Sequence, residues 1–167
     1  MRLKPLVPAL AALCAAGGAW AADPVTAELK NSTGQTVGAV VLDAAPKGVL
    51  IRVEAKGLSP GWHGLHLHAK GDCSTSDFTS AGPHVHEGTA KAVHGLLNPA
   101  ANEPGDLPNL HADTGGAASA EVFTTATTLG ALRDADGSAL VIHASPDDHT
   151  TQPIGGAGPR VACAVIK

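Results

Sequence analysis

The feature that most constrains this chain is the shape of its apolar pattern: short aliphatic and β-branched runs, each cut off by Gly, Pro or Asp. Runs at 25–29, 35–43, 48–56, 65–69, 120–128, 139–144 and 160–166 have strand composition, and Thr33-Gly34 and Pro46-Lys47-Gly48 have turn composition. No stretch keeps the 3.6-residue period of a helix, so the pattern predicts an all-β antiparallel sandwich or barrel. Two segments, 70–117 and 145–159, lack strand patterning and are expected to be long functional loops, because they carry most of the remaining His, Asp and Gly.

Composition narrows the function. With 167 residues, 44% hydrophobic and 16% charged, the chain suits one buried core rather than disorder or a coiled coil. Aromatic residues make up 2% and Tyr is absent, so bases would find almost nothing to stack on. A formal charge of −4 also disfavours binding to a phosphate backbone, so no nucleic-acid partner is expected. Nine His stand against eleven Lys plus Arg, and that excess of imidazole asks for a metal or for proton transfer.

The N-terminus has the form of a secretory leader. Arg2 and Lys4 precede an apolar stretch too short to span a bilayer, and Ala19-Trp20-Ala21 offers a small-x-small cleavage site. The expected division is therefore a signal peptide at 1–21 and a single domain at 22–167, exported to the periplasm or secreted and free of the membrane after cleavage. Losing Arg2 and Lys4 would move the formal charge from −4 to −6. Cys14 raises lipidation, but Leu13 stands where a small residue would be needed. The mature chain keeps Cys73 and Cys163, an even number suited to an oxidising compartment.

The chemistry begins at Trp62-His63-Gly64-Leu65-His66-Leu67-His68. On a strand, His66 and His68 share one face, about 7 Å apart, and can converge on one ion, while His63 falls with Leu65 and Leu67 and reads as a core histidine. Imidazole suits Cu, Zn, Fe and Ni. Further along come Ser80-Ala81-Gly82-Pro83-His84, His94, Gly105-Asp106-Leu107-Pro108-Asn109, a strand ending at His143, and Gly155-Gly156-Ala157-Gly158-Pro159-Arg160-Val161-Ala162-Cys163. Taken in order, these residues closely resemble the copper/zinc superoxide dismutase family of exported bacterial type, over essentially the whole mature chain.

That resemblance implies a Greek-key β-barrel and an enzyme that converts superoxide to oxygen and hydrogen peroxide by Cu(II)/Cu(I) cycling beside an imidazole-bridged zinc. His66, His68 and His143 match copper ligands, and His84 matches the histidine whose ring bridges copper and zinc. His94 and Asp106 match zinc ligands, Asp147 the carboxylate that links the two sites through ligand histidines, and Arg160 the anion guide beside copper. Cys73 and Cys163 match the intrachain disulfide. Copper, the redox-active ion, is required, since Zn²⁺ cannot exchange an electron.

Two departures lie in the zinc loop. Glu103 stands where the family carries a third zinc histidine, and the stretch from His84 to His94, with His86 and Glu87, is two residues longer than the family spacing. Glu103 could ligate through oxygen, His86 could swing in, or the zinc site could stay empty. His111 and His149 read as loop hydrogen-bonding residues. A copper-delivery protein of the same fold is the alternative function, and retention of Arg160 counts against it, because a carrier needs no anion guide. The oligomeric state stays open, a homodimer included.

Overall fold

The computed structural model describes residues 23–86, 88 and 91–167; the expected leader and Glu87 lie outside the described residues. Nine strands run β1 (Val25–Asn31), β2 (Thr36–Ala45), β3 (Gly48–Ala55), β4 (Gly61–His63), β5 (Leu65–His68), β6 (Leu110–Ala112), β7 (Ala118–Thr124), β8 (Ser138–His143) and β9 (Arg160–Ile166). They form one antiparallel sheet in the order β4-β6-β7-β3-β2-β1-β9-β8-β5. The two end strands are consecutive in the chain and meet at Gly64, so the sheet nearly closes into a barrel, and the jumps β3 to β4 and β7 to β8 give it the expected Greek-key connectivity.

Closure depends on the break at Gly64. The run Trp62 to His68 is not one strand: β4 pairs with β6, β5 pairs with β8, and Gly64 between them bonds Ser145 O and His143 N, both at 2.8 Å. A side chain at Gly64 would stand 2.8 Å from the Ala157 Cβ and 3.3 Å from His66 Cε1, so only glycine lets the chain turn there without moving the metal-side ring. A single alternating pattern across 62–68 therefore conceals two strands.

Elsewhere the period-2 pattern holds. On β3, Val49, Ile51, Val53 and Ala55 face the core while Arg52 and Glu54 face out, as half-buried strands require. Leu65 and Leu67 of β5 join the same core with Leu140 and Ile142 of β8 and Ala162 and Ala164 of β9. Strand β8 is buried on both faces. Its outer residues Ala139 and Val141 lie under Phe78 and Ala81 of the long loop, which the Cys73–Cys163 disulfide holds against β9. That second layer explains why 139–142 reads as an unbroken apolar run.

Three details differ from the sequence reading. Strand β7 starts earlier and ends at Thr124; Thr128 then caps a one-turn helix, α1 (Leu129–Leu132), accepting from Ala131 N at 3.2 Å. Strand β6 lies inside the segment that lacked strand patterning, because three residues are too few to show a period. On β6, His111 packs edge-on against Trp62, ring centroids 4.7 Å apart, rather than tying down a loop.

Candidate metal centre

Pairing of β5 with β8 sets His66 opposite Val141 and His68 opposite Ala139, so both rings project from the outer face, away from Leu65 and Leu67. His143 follows Val141 at the end of β8, where the register slips by a bulge and brings Arg160 of β9 opposite it. Strand β5 is a sheet edge, and the long loop satisfies it. Ala69 N bonds Pro83 O, Val85 N bonds Leu67 O and Leu67 N bonds Gly105 O, at 2.8–2.9 Å. These bonds carry His84 alongside His68 and Asp106 alongside His66. Gly105 has no room for a side chain, since a Cβ would collide with the Leu67 carbonyl.

The four rings of His66, His68, His84 and His143 are all buried, and one ligand nitrogen from each lies within 4.8 Å of the others. In each ring the second nitrogen is already engaged. His66 Nε2 donates to Asp147 Oδ2 at 2.7 Å, His68 Nδ1 to Gly82 O at 2.9 Å and His143 Nδ1 to Gly158 O at 2.9 Å. Carbonyl and carboxylate oxygens only accept, so in a neutral ring the remaining nitrogen presents a lone pair. Those remaining atoms, His66 Nδ1, His68 Nε2, His84 Nε2 and His143 Nε2, are buried without a hydrogen-bond partner among the described residues. Buried polar atoms are ordinarily paired. Four unpaired ring nitrogens converging on one point suit a borderline transition ion, and copper fits that donor set.

Burial keeps three of these rings uncharged. It pushes His68 down to about 2 and His143 to about 3, helped by neighbouring rings, and it lowers His66 against the pull of Asp147. His84 goes the other way: burial opposes its protonation, but Asp106 and Glu103 outweigh burial and raise it.

Those two carboxylates build the second half of the centre. Asp106 Oδ1 lies 3.0 Å from His84 Nδ1 and 2.9 Å from His94 Nδ1, and Glu103 Oε2 lies 3.1 and 3.2 Å from the same two atoms. Gly95 N donates to Asp106 Oδ2 at 2.7 Å and fixes that carboxylate. Despite desolvation, Asp106, Asp147 and Glu103 push His94 up to about 11. Two imidazole nitrogens and two carboxylate oxygens around one point form a set that zinc accepts. His86 is exposed, with Nδ1 3.3 Å from the His84 carbonyl, and does not join it.

Asp147 connects the halves. Its Oδ2 takes His66 and its Oδ1 takes His94 Nε2 at 3.1 Å, orienting one ring in each half. Desolvation would raise the Asp147 carboxyl, but the hydrogen bonds from His66, His94 and His149 N hold it far below the usual range. Gly155, φ +60°, leaves space for it, because a Cβ there would collide with Oδ1. Sequence reasoning missed Asn109, which binds the Asp147 backbone at both N and O, at 2.9 and 2.8 Å. Its signal was only its place after Asp106-Leu107-Pro108. His63 is buried between Ser59 O at 2.8 Å and His143 O at 2.6 Å, and so bonds behind the cluster rather than into it.

Arg160 donates to Phe78 O at 2.5 Å and to Gly82 O at 2.7 Å. Gly82 O also accepts from His68, so one carbonyl orients both the guanidinium and a ring. Arg160 and His143 line a surface depression of about 240 Å³ with Asp77, Thr79, Ile154 and Pro159. A fixed cation there gives a small anion a positive place to settle next to the histidine cluster.

A nearly closed antiparallel barrel with adjoining four-histidine and histidine-carboxylate clusters defines a class of protein with two neighbouring candidate metal sites. The family model for copper/zinc superoxide dismutase matches residues 36–166. A copper/zinc superoxide dismutase of Caulobacter vibrioides is 58% identical over 85% of this chain and 84% of its own length. The Escherichia coli K12 copper/zinc enzyme is 36% identical over 95% of each chain. Among solved structures, a superoxide dismutase-like protein from Bacillus subtilis superposes with a TM-score of 0.78 at 34% identity, covering 85% of this chain and 97% of that one. The Brucella abortus copper/zinc enzyme superposes at 0.73 and 30% identity, covering 87% of this chain and all (100%) of that one. The chain belongs to the copper/zinc superoxide dismutase family, an oxidoreductase family that uses copper and zinc.

Proposed function

We propose that His66, His68, His84 and His143 hold copper, that His84, His94, Asp106 and Glu103 hold zinc, and that the chain dismutates superoxide at the copper side. The observation that carries this is the convergence of four buried, unpaired ring nitrogens on one point. Two superoxide anions and two protons become one oxygen and one hydrogen peroxide. Bound copper supplies the one-electron cycling that none of the side chains can provide.

The chain's own residues do the rest. Arg160 draws the anion into the depression beside His143, which a chain of net negative charge needs as a local exception to its field. The same guanidinium makes a dismutase a better reading than a copper carrier. His84 presents Nε2 to the copper side while Nδ1 stays between Asp106 and Glu103, so Nε2 is the atom where a proton is taken up and handed to reduced dioxygen. Asp147, acting through His66 and His94, keeps the rings turned so that their lone pairs face inward. Export to an oxidising compartment, the periplasm or outside the cell, is supported by the Cys73–Cys163 bond.

Metal content per chain and superoxide consumption test the reading together. The parent should carry one copper and one zinc, and His66→Ala should lose copper and dismutation together. Full copper and full activity in that variant would overturn the assignment.

A further inference from the structure

Five buried ring nitrogens lack a hydrogen-bond partner among the described residues, and the ligand set proposed above uses only four of them. The fifth is His149 Nδ1, which stands 3.5 Å from Asp147 Oδ2. Its orientation follows from Asn109. The Asp147 N–H can only donate, and it faces Asn109 Oδ1 at 2.9 Å, so the opposite end of that amide must be Nδ2. Asn109 Nδ2 donates to Asp147 O at 2.8 Å and faces His149 Nε2 at 3.3 Å. An amide nitrogen can only donate, so His149 Nε2 accepts, which leaves the ring hydrogen on Nδ1, the nitrogen on the Asp147 side of the ring.

The backbone of His149 is committed to the same place. Its φ is +61°, in the left-handed region that side chains other than glycine rarely occupy. Such a conformation persists where surrounding contacts over-determine it. Here the His149 N–H donates to Asp147 Oδ1 at 2.6 Å and its carbonyl accepts from Leu97 N at 3.1 Å. Gly95 lies so close that a Cβ there would collide with that carbonyl. His149 thus joins the loop next to His94 to the carboxylate that serves His66.

We propose that His149 is a positioning residue: its backbone N–H bonds the Asp147 carboxylate and its ring stands against it, Nδ1 3.5 Å from Oδ2, so that the carboxylate stays between His66 and His94. The proposal rests on the metal assignment given above. Each Asp147 oxygen then meets one of the proposed ligand histidines and one part of His149: Oδ2 has His66 Nε2–H, with the His149 ring nitrogen 3.5 Å away, and Oδ1 has His94 Nε2–H and the His149 backbone N–H. Contacts on both oxygens resist rotation of the carboxylate toward one half of the centre at the expense of the other.

Two variants of the copper- and zinc-loaded protein separate the donor from the backbone. His149→Gly removes the ring and is at ease at positive φ, so any effect comes from the missing side chain. His149→Asn also tolerates that backbone, and its amide nitrogen can occupy the place of Nδ1. Zinc release to EDTA should run about tenfold faster in His149→Gly, the lower end of what loss of an outer partner costs, and its Cu(II) paramagnetic resonance signal should shift. His149→Asn should restore both. Parent-like release and signal in His149→Gly would overturn the proposal, and so would an His149→Asn protein as impaired as the glycine variant. A parent that binds neither metal would be a different result, removing the metal assignment and this proposal with it.

Discussion

Glu103 changes the character of the proposed zinc site at a single position. A carboxylate oxygen approaches zinc as closely as an imidazole nitrogen does, and it brings a negative charge beside Asp106. Desolvation would raise the Glu103 carboxyl, but His84 and His94 hold it below the usual range, so it is available as an anion. Glu103→Ala is expected to lower zinc per chain by roughly ten- to a hundredfold in affinity while copper stays at one, and Glu103→His should keep both metals. Unchanged zinc content in the alanine variant would remove Glu103 from the ligand set. Arg160 acts on the substrate instead. Arg160→Ala should cut kcat/KM for superoxide about tenfold or more and weaken its dependence on ionic strength, with Arg160→Lys in between. If salt slows the parent and the alanine variant alike, the guidance comes from elsewhere. At this scale the gathering of His66, His68 and His143 was legible, because His66 and His68 share one strand face and His143 closes an apolar run. Asn109 and His149 were not, because what they do depends on Asp147, 38 and two residues away.

Strand β5 is the element that joins stability to the site. Four residues long, it gives Leu65 and Leu67 to the barrel interior and His66 and His68 to the outer face. Leu67→Ala should cost about 2 to 5 kcal/mol in chemical denaturation, as for other fully buried leucines, with copper content held because the ring nitrogens lie on the opposite face. A loss under about 1 kcal/mol would mean that the inner face collapses around the gap. The loops on the other side of β5 are ordered by its unpaired edge, whose groups bond Pro83, Val85 and Gly105. Those pairings could not be foreseen from a stretch with no strand pattern, since single bridges leave no periodicity behind.

Across the whole molecule, the Cys73–Cys163 bond spans a separation of 90 residues. In the chain-entropy picture a closed loop of that size stabilises the fold by about 4 to 5 kcal/mol. Replacing both cysteines by serine should lower stability by that order and also reduce kcat/KM, because the tethered loop carries the Phe78 and Gly82 carbonyls that hold Arg160. Equal stability of parent and double variant would show that the outer packing of Phe78 and Ala81 is sufficient without the bond. Period-2 alternation and turn residues were enough to predict an all-β barrel, and the order of His, Asp and Gly motifs was enough to indicate the family, since both are written in local spacing. The division of 62–68 into two strands at opposite ends of the sheet was decided only in three dimensions, and so were the exposed place of His86, the approach of Glu103 to His84 and His94 and the contacts around Asp147. Each depends on which distant backbone comes within a hydrogen bond of another, and local spacing carries no record of that.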